Sequence, residues 1–552
     1  MSRVGEPRLS LPWAPVPLPR TRILRRGLCR LQALAGTWLG AAVVFVAGLG
    51  VYAFEAIAWP LTAGRDLDEY MLSYVQLLDR HPLLPWAPLF RTPLTGAVVG
   101  TSLDIHGGSF AEPFAAVLFA LSIVLWSAAA LAFGRRVAIV TALALLAFPG
   151  YGLIFHELAS EPVMATVFAA FALAVTRAAR APSMGRFALV GLGVALLALT
   201  RPGNAVLLAV ALFPLLVKGA WRSRLRWTAA FAIAAIIPLG AWSLQNGWRY
   251  GDYTLARGGN ALVPFYQVFL RDKIVSPANG PASRRLGTAV QQRLLTRDPY
   301  KSYGITIHSF FSSPSFREHE DLYTLSDQTW GWNSAYSTLR ASAIEAIRAH
   351  PGAYASGAAQ TIWTQLTAPV YRAVAAGPTT GKPGKGSAAT IVVNGKRLPA
   401  PGEGQSIPAG QTSWISRPDN SIRDVWIGPT THYFSFAIRS QQQEFTRIVG
   451  EQTRLEHSFP TRTGNRSLGT RLNQLSHRYP PAVLWLLVGV VALAWRRPRG
   501  SSALIVLASA ALVVVVFNGL GLLADRHFML PVAPSFVLFA LGALLGERAE
   551  PG

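Results

Sequence analysis

The stretch RTRILRRGLCRLQALAGTWLGAAVVFVAGLGVYAFEA, residues 20–56, joins a basic segment to a nearly unbroken apolar run. The apolar part, 33–56, is long enough to cross the roughly 30 Å hydrocarbon core of a bilayer as a helix. No small-residue cleavage site follows, so it reads as a signal anchor that stays in place. Working outward, nine more apolar runs lie at 112–133, 137–155, 162–176, 187–200, 204–217, 227–244, 481–495, 501–523 and 528–546. Those at 162–176, 187–200, 204–217 and 481–495 are short and are expected to be tilted, extended or partly re-entrant. The expected fold is an all-α polytopic membrane protein of about ten transmembrane helices.

Composition agrees. Of 552 residues, 51% are hydrophobic and 14% charged, with a mean hydropathy of +0.32, whereas soluble domains carry about 25% charged residues. The formal net charge of +24 would point to nucleic acid in a soluble chain. Here arginine is concentrated in the first 32 residues and in short loops, so topology explains much of it and no nucleic-acid partner is expected. The single cysteine, Cys29, excludes an intramolecular disulfide. It lies beside the first span, where palmitoylation is conceivable; an unmodified thiol is the plainer reading.

Charge gives the orientation. The basic clusters are the seven arginines of 1–32, Arg135–Arg136, Arg177/Arg180/Arg186, Lys218/Arg222/Arg224/Arg226 and Arg496/Arg497/Arg499. With ten spans all fall on one side, which the positive-inside rule makes cytoplasmic. Both termini are then cytoplasmic, as expected in a cell inner (plasma) membrane. The chain divides into a basic N-terminal segment (1–32), helices 1–7 with a large first extracytoplasmic loop at 57–111 (33–244), an extracytoplasmic region (245–480), and helices 8–10 with a short tail (481–552).

The 245–480 region reads as mixed α/β. TIVVNGKRLP, 390–399, predicts a hairpin around Asn394–Gly395, residues that tolerate the positive φ of a type I′ turn. SAIEAIRAHPGAYASGAAQTIWTQL, 342–366, predicts two helices split at Pro351, the second along the membrane surface. GPTTGKPGKGSAA, 377–389, is linker-like and lacks the spacing of a phosphate-binding loop.

Carboxylates and cations then gather on one face. The first loop holds Asp66, Asp68, Glu69 and Arg91. FHELASEP supplies His156, Glu157 and Glu161, and LTRPGN supplies Arg201. QNGWRYGDY brings Arg249 and Asp252, and ADRHFMLP brings Asp525, Arg526 and His527. The opposite face has almost only arginine and lysine. Ionisable groups at the hydrocarbon edge are costly and generally face a shared polar cavity, so this asymmetry marks the extracytoplasmic face as the site.

Plainer readings exist for each. Asp66 suits an N-cap with Glu69 at N3, a capping-box spacing, and Met71, Val75 and Leu78 suit one face of an interfacial helix. That leaves Asp68 unexplained and makes it the sharper candidate. HELASE is not HExxH, so zinc is disfavoured. EHED, 318–321, reads as a solvated acidic patch. Arg201 could snorkel, Asp525 could pair with Arg526, and Trp330, Trp332 and Trp363 suit an aromatic belt.

The motifs occur in an order that resembles a known superfamily: Asp68–Glu69–Tyr70 after span one, RTPLTG at 91–96, SEP at 160–162, LTRPGN at 199–204, NGWRYGDYTLARGGN at 246–260 and DRHFMLPVAP at 525–534. The pattern resembles the GT-C integral-membrane glycosyltransferases, especially the bacterial branch related to protein O-mannosyltransferases and lipid A aminoarabinose transferases. It covers about the first 270 and the last 70 residues, and leaves 270–480 unmatched.

The resemblance implies a glycosyltransferase that moves a sugar from a polyprenyl-phosphate donor to an extracytoplasmic hydroxyl with inversion. The acceptor could be glycan, lipid or protein. A carboxylate takes the acceptor's proton; Asp68 is assigned that role, with Asp66 and Glu69 orienting. Arginine forks match phosphate oxygens, which assigns Arg91, Arg201 and Arg526, with His527, to the donor phosphate. Tyr70, Glu161, Arg249 and Tyr250 complete the substrate-binding set. A divalent metal is left open. Two rivals stand beside this reading: a transporter or flippase of a lipid-linked sugar, and a non-catalytic envelope scaffold.

Overall fold

The computed structural model describes residues 36–79, 81–368, 390–393, 396–399, 417, 419–428, 431–459, 462–496, 498–521 and 526–548. The basic N-terminal segment with Cys29, the linker at 377–389, the Asn394–Gly395 turn and Asp525 lie outside them.

Among the described residues six helices are long and apolar enough to cross a membrane: Trp38–Ala56, Gly108–Phe133, Ser160–Arg180, Trp221–Tyr250, Arg466–Arg496 and Ser501–Gly521. The segment expected as one span at 137–155 is two helices, Arg135–Leu146 and Pro149–His156, bent by 65° at the break. Pro149 lacks the N–H that would continue the ladder. The segments expected at 187–200, 204–217 and 528–546 fall on the shorter apolar helices Met184–Thr200, Pro202–Leu216 and Leu530–Leu545. Among the described residues, six of the ten expected spans are membrane-length helices, or seven if the bent pair is one span.

The 204–217 segment departs most from an α-helix. It is a 3-10 helix over Pro202–Leu212, followed by one α-turn, Phe213–Leu216. A 3-10 helix rises about 2 Å per residue, so eleven residues reach roughly 20 Å. Elsewhere small residues let backbones meet. A Cβ on Gly48 would stand 2.8 Å from Ala120 Cα, and one on Gly191 would stand 2.1 Å from the Phe231 carbonyl oxygen.

The polar region is more helical than expected. Among the described residues its strands are two antiparallel pairs, Thr390–Val393 with Lys396–Pro399 and Ile422–Trp426 with His432–Phe436. The first pair has Val393 opposite Lys396. The split at Pro351 is present, between Ser337–Ala349 and Pro351–Thr367.

Two large apolar cores result among the described residues, beside a small cluster of Ala195, Ala198 and Leu239. One fills the helix bundle, from Tyr52 and Phe119 to Phe539. The other joins Leu72, Leu84 and Phe90 of the first loop to Phe265, Phe269, Phe310 and Leu322 of the polar region.

Trp332 departs from a belt role: its ring lies 3.6 Å from the guanidinium carbon of the buried Arg257. Arg257 also pairs with Asp252 at 3.0 Å and Asp327 at 2.7 Å.

Candidate active site

A cavity of about 590 Å³ opens where the two cores meet. Its lining includes apolar Met164, Val514 and Phe517 from the bundle core side and Phe90 and Tyr323 from the second core. Between them lie the ionisable groups.

A two-residue parallel pairing builds the cavity's cationic end. Thr62–Ala63 pairs with Glu157–Leu158, and Gly64 N donates to the Leu158 carbonyl at 3.1 Å. Only glycine fits there, because a Cβ would stand 2.7 Å from both Leu158 O and Ala159 Cβ. The clamp sets Arg65 and Asp66 beside Ser160 and Glu161, the first turn of the Ser160–Arg180 helix. Arg201 arrives from the end of Met184–Thr200 in extended conformation. Its Nε donates to Ser160 Oγ at 2.7 Å, and its Nη2 pairs with Glu161. Arg65 Nη2 stands 3.8 Å from the same Glu161 oxygen. Both guanidinium carbons lie over the Phe528 ring, at 4.6 Å for Arg65 and 4.9 Å for Arg201. Two cations thus share one carboxylate and one aromatic face.

The other end is acidic. Arg91 follows the short helix Trp86–Phe90 and lies over the Tyr70 ring at 4.9 Å. Its Nη2 is 3.1 Å from Asp66 Oδ2, and it pairs closely with Glu69. Here one cation faces two carboxylates. Arg65 Nε, 3.8 Å from Asp66 Oδ2, connects the two ends.

The capping box expected at Asp66 and Glu69 does not form. Asp66 precedes the helix Leu67–Gln76 but is left-handed, φ 61°, and its side chain caps nothing. Aspartate tolerates this region better than most residues, and the carboxylate turns to Arg91 instead. The helical phase then sends Glu69 and Tyr70 into the cavity and Asp68 out to solvent. The expected apolar face is likewise corrected at one position. Met71 is fully buried, but Leu78 lies past the helix end and is 86% exposed.

The roof comes from EHED, which is not a solvated patch. Ser315 and Glu318 form a capping box that starts the helix Phe316–Trp330. Glu318, His319 and Asp321 are buried, and His319 and Glu320 line the cavity. Burial raises the Glu318 carboxyl to about 7 and lowers His319 to about 3. Burial, then the nearby Glu69 charge, raises Glu320 to about 8. Burial likewise raises Glu69 to about 7 against the pull of Arg91.

Of the residues singled out from sequence, Asp66, Glu69, Tyr70, Arg91, Glu161 and Arg201 share this cavity. Four others stand elsewhere. Asp68 is exposed, with its carbonyl accepting from Gln452 at 3.2 Å. Arg249 donates to the Leu77 carbonyl at 3.1 Å, and neither it nor Tyr250 lines the cavity. His527 faces Glu157 at 3.8 Å. Arg526 begins a single 3-10 turn; its side chain lies outside the described residues. Arg65, Glu320 and Phe528 were missed. Phe528 sits inside the ADRHFMLP motif and Arg65 immediately precedes Asp66, and the Ser315–Glu318 spacing is a readable helix start.

Among the described residues no three His, Cys, Asp or Glu side chains converge as a metal ligand set. Over residues 92–242 the chain is similar to the dolichyl-phosphate-mannose-protein mannosyltransferase family. No curated protein matches it. The matched stretch includes Ser160, Glu161 and Arg201; it begins after Arg65, Asp66 and Glu69 and ends before the roof and Phe528. The match and the apolar helices together support a multi-pass membrane protein of glycosyltransferase type.

Proposed function

We propose that this chain moves a sugar from a polyprenyl-phosphate donor to an acceptor hydroxyl, with inversion, in the cavity at its extracytoplasmic face. The observation that carries the reading is the charge polarity of one cavity. Two arginines share a single carboxylate at one end, and one arginine holds two carboxylates at the other. The family match, which covers the Ser160, Glu161 and Arg201 part of the cationic end, supports the donor class.

The residues take roles by their surroundings. Arg65 and Arg201 receive the donor phosphate, because two guanidinium groups converge on one ring there and charge-assisted forks suit phosphate oxygens. The same groups stabilise the negative charge that grows on the departing polyprenyl phosphate. Ser160 Oγ holds the Arg201 fork in place. Met164, Val514 and Phe517 give the first prenyl units an apolar wall.

Asp66 becomes the base in place of Asp68. Its carboxylate is 35% exposed, and it stands one guanidinium from the phosphate site. It accepts the hydroxyl proton as the acceptor oxygen attacks the anomeric carbon and the carbon–phosphate oxygen bond breaks. Attack from the side opposite the leaving phosphate inverts that carbon. Arg91, engaged by two carboxylates, orients Asp66 and Glu69 rather than binding the donor.

The test uses the purified chain in nanodiscs with radiolabelled lipid-linked sugars extracted from bacterial membranes. Release of free polyprenyl phosphate, dependent on Arg201, is expected. If wild type cleaves no lipid-linked donor while remaining folded, the transferase reading fails.

A further inference from the structure

We propose that the roof of the cavity is a subsite for a sugar ring of the acceptor, so that the acceptor is a glycan; this rests on the transferase reading above. The Phe316–Trp330 helix turns Phe316, Glu320 and Tyr323 to the cavity, a spacing of four and three residues that lies on one helical face. Phe316 is 54% exposed, although it belongs to the polar region and forms part of the cavity wall. An aromatic ring left half-open in the wall of a polar cavity offers a flat apolar surface to a ligand. Its edge is held by Tyr266, whose ring meets it in a T-shaped contact at 5.8 Å.

One turn deeper stands Glu320. Asp66, Glu69 and Glu161 each have an arginine partner in the cavity. The Glu320 carboxyl makes no hydrogen bond or ion pair with the described residues. The carboxyl is half-buried, and its position one turn along the helix from an open ring suits one ligand chemistry. The C–H face of a pyranose stacks on the ring while two adjacent hydroxyls bond the carboxyl. Glu320 lies beside Glu69, so a sugar held at the roof presents a hydroxyl to the acidic end where Asp66 waits.

The alternative acceptors fit less well. An extended peptide is recognised largely through main-chain hydrogen bonds to a strand edge, and this wall is a helix whose backbone groups are paired internally. A lipid acceptor needs a second apolar path, and the roof presents a carboxyl and the Arg340 guanidinium.

The experiment is saturation-transfer NMR on the full chain in nanodiscs, with cellobiose, maltose, α-1,6-mannobiose and the peptide Ala-Thr-Ala as probes. At least one disaccharide is expected to bind, at least tenfold more weakly in Phe316→Ala and in Glu320→Ala, with binding kept in Phe316→Tyr. The proposal is overturned if no disaccharide binds, if only the peptide binds, or if Phe316→Ala binds like wild type. Donor cleavage by wild type is scored separately. Cleavage without disaccharide binding refutes the roof subsite and spares the transferase. Phe316-dependent binding without cleavage keeps the subsite and removes the transferase.

Discussion

Asp66 Oδ2 and Arg91 Nη2 meet at 3.1 Å across the first loop, and this contact selects which acid of DLDE enters the cavity. With Asp66 left-handed, the helix begins at Leu67 and Asp68 points to solvent. Asp66→Asn keeps the size and the left-handed tolerance but removes the base. It is expected to lower the rate of sugar transfer by at least about a hundredfold, within the usual range for a lost general base. Asp68→Asn is expected to stay within about threefold of wild type. Single-turnover transfer at matched folded protein measures both, and the reverse ranking returns the base to Asp68.

Arg201 holds Ser160 and Glu161 and shares the Phe528 ring with Arg65. Hydrogen bonds to charged groups contribute about 1.5–3 kcal/mol. Arg201→Ala is therefore expected to raise the donor KM by roughly 10- to 100-fold. Arg201→Lys keeps the charge and loses the fork, so it should recover only part of this. Equal donor KM in wild type and both variants would exclude Arg201 from the phosphate site.

Gly64 is where the first loop touches the start of the Ser160–Arg180 helix. A methyl group there meets a backbone oxygen at 2.7 Å, which side-chain rotation cannot relieve. Gly64→Ala is expected to cost about 1–3 kcal/mol, the usual range for overpacking, and to lower transfer because Arg65 and Asp66 move with the loop. Thermal unfolding and donor cleavage should fall together. A variant with wild-type midpoint and rate would show that the two-residue pairing does not set the site.

Apolar runs and basic loops made the helical membrane architecture legible, because both follow from transfer energetics acting on composition. They could not show that residues 202–212 would wind as a 3-10 helix or that the 137–155 segment would bend, since prolines and packing decide those. The acids at 66–69 marked the correct loop. Which of them faces inward depends on one backbone dihedral at Asp66 and on an arginine far along the chain, and neither is written in local spacing. EHED misled because charge density suggests solvation, whereas the Ser315–Glu318 cap and the tertiary burial of the next turn place it over the cavity. Arg249 and Tyr250 lie near the cavity in sequence order only. The C-terminal turn of their helix packs on Leu77, outside the pocket.

The acidic end should make the reaction pH-dependent in a stated direction. Burial raises Glu69 to about 7 and Glu320 to about 8, from a usual carboxyl value near 4.5. Both are mainly neutral at pH 6 and ionised by pH 9. Rising pH therefore adds negative charge beside the site of an anionic donor, and the donor KM should rise between pH 6 and 9. Glu320→Gln should flatten the part of that rise near pH 8 and leave the part near 7. Stability moves the same way. In the folded state these carboxyls keep protons that the unfolded chain releases, so stability falls as pH climbs from about 4.5 to 8 and levels off above it. The contribution is fully present below the unfolded value and lost by the folded one. Thermal midpoints in detergent should decline over that window, with a shallower slope in Glu320→Gln. A midpoint that rises with pH through 5–8, or a donor KM flat from 6 to 9, would mean that Glu69 and Glu320 hold no proton in the folded cavity and that the roof is charged throughout.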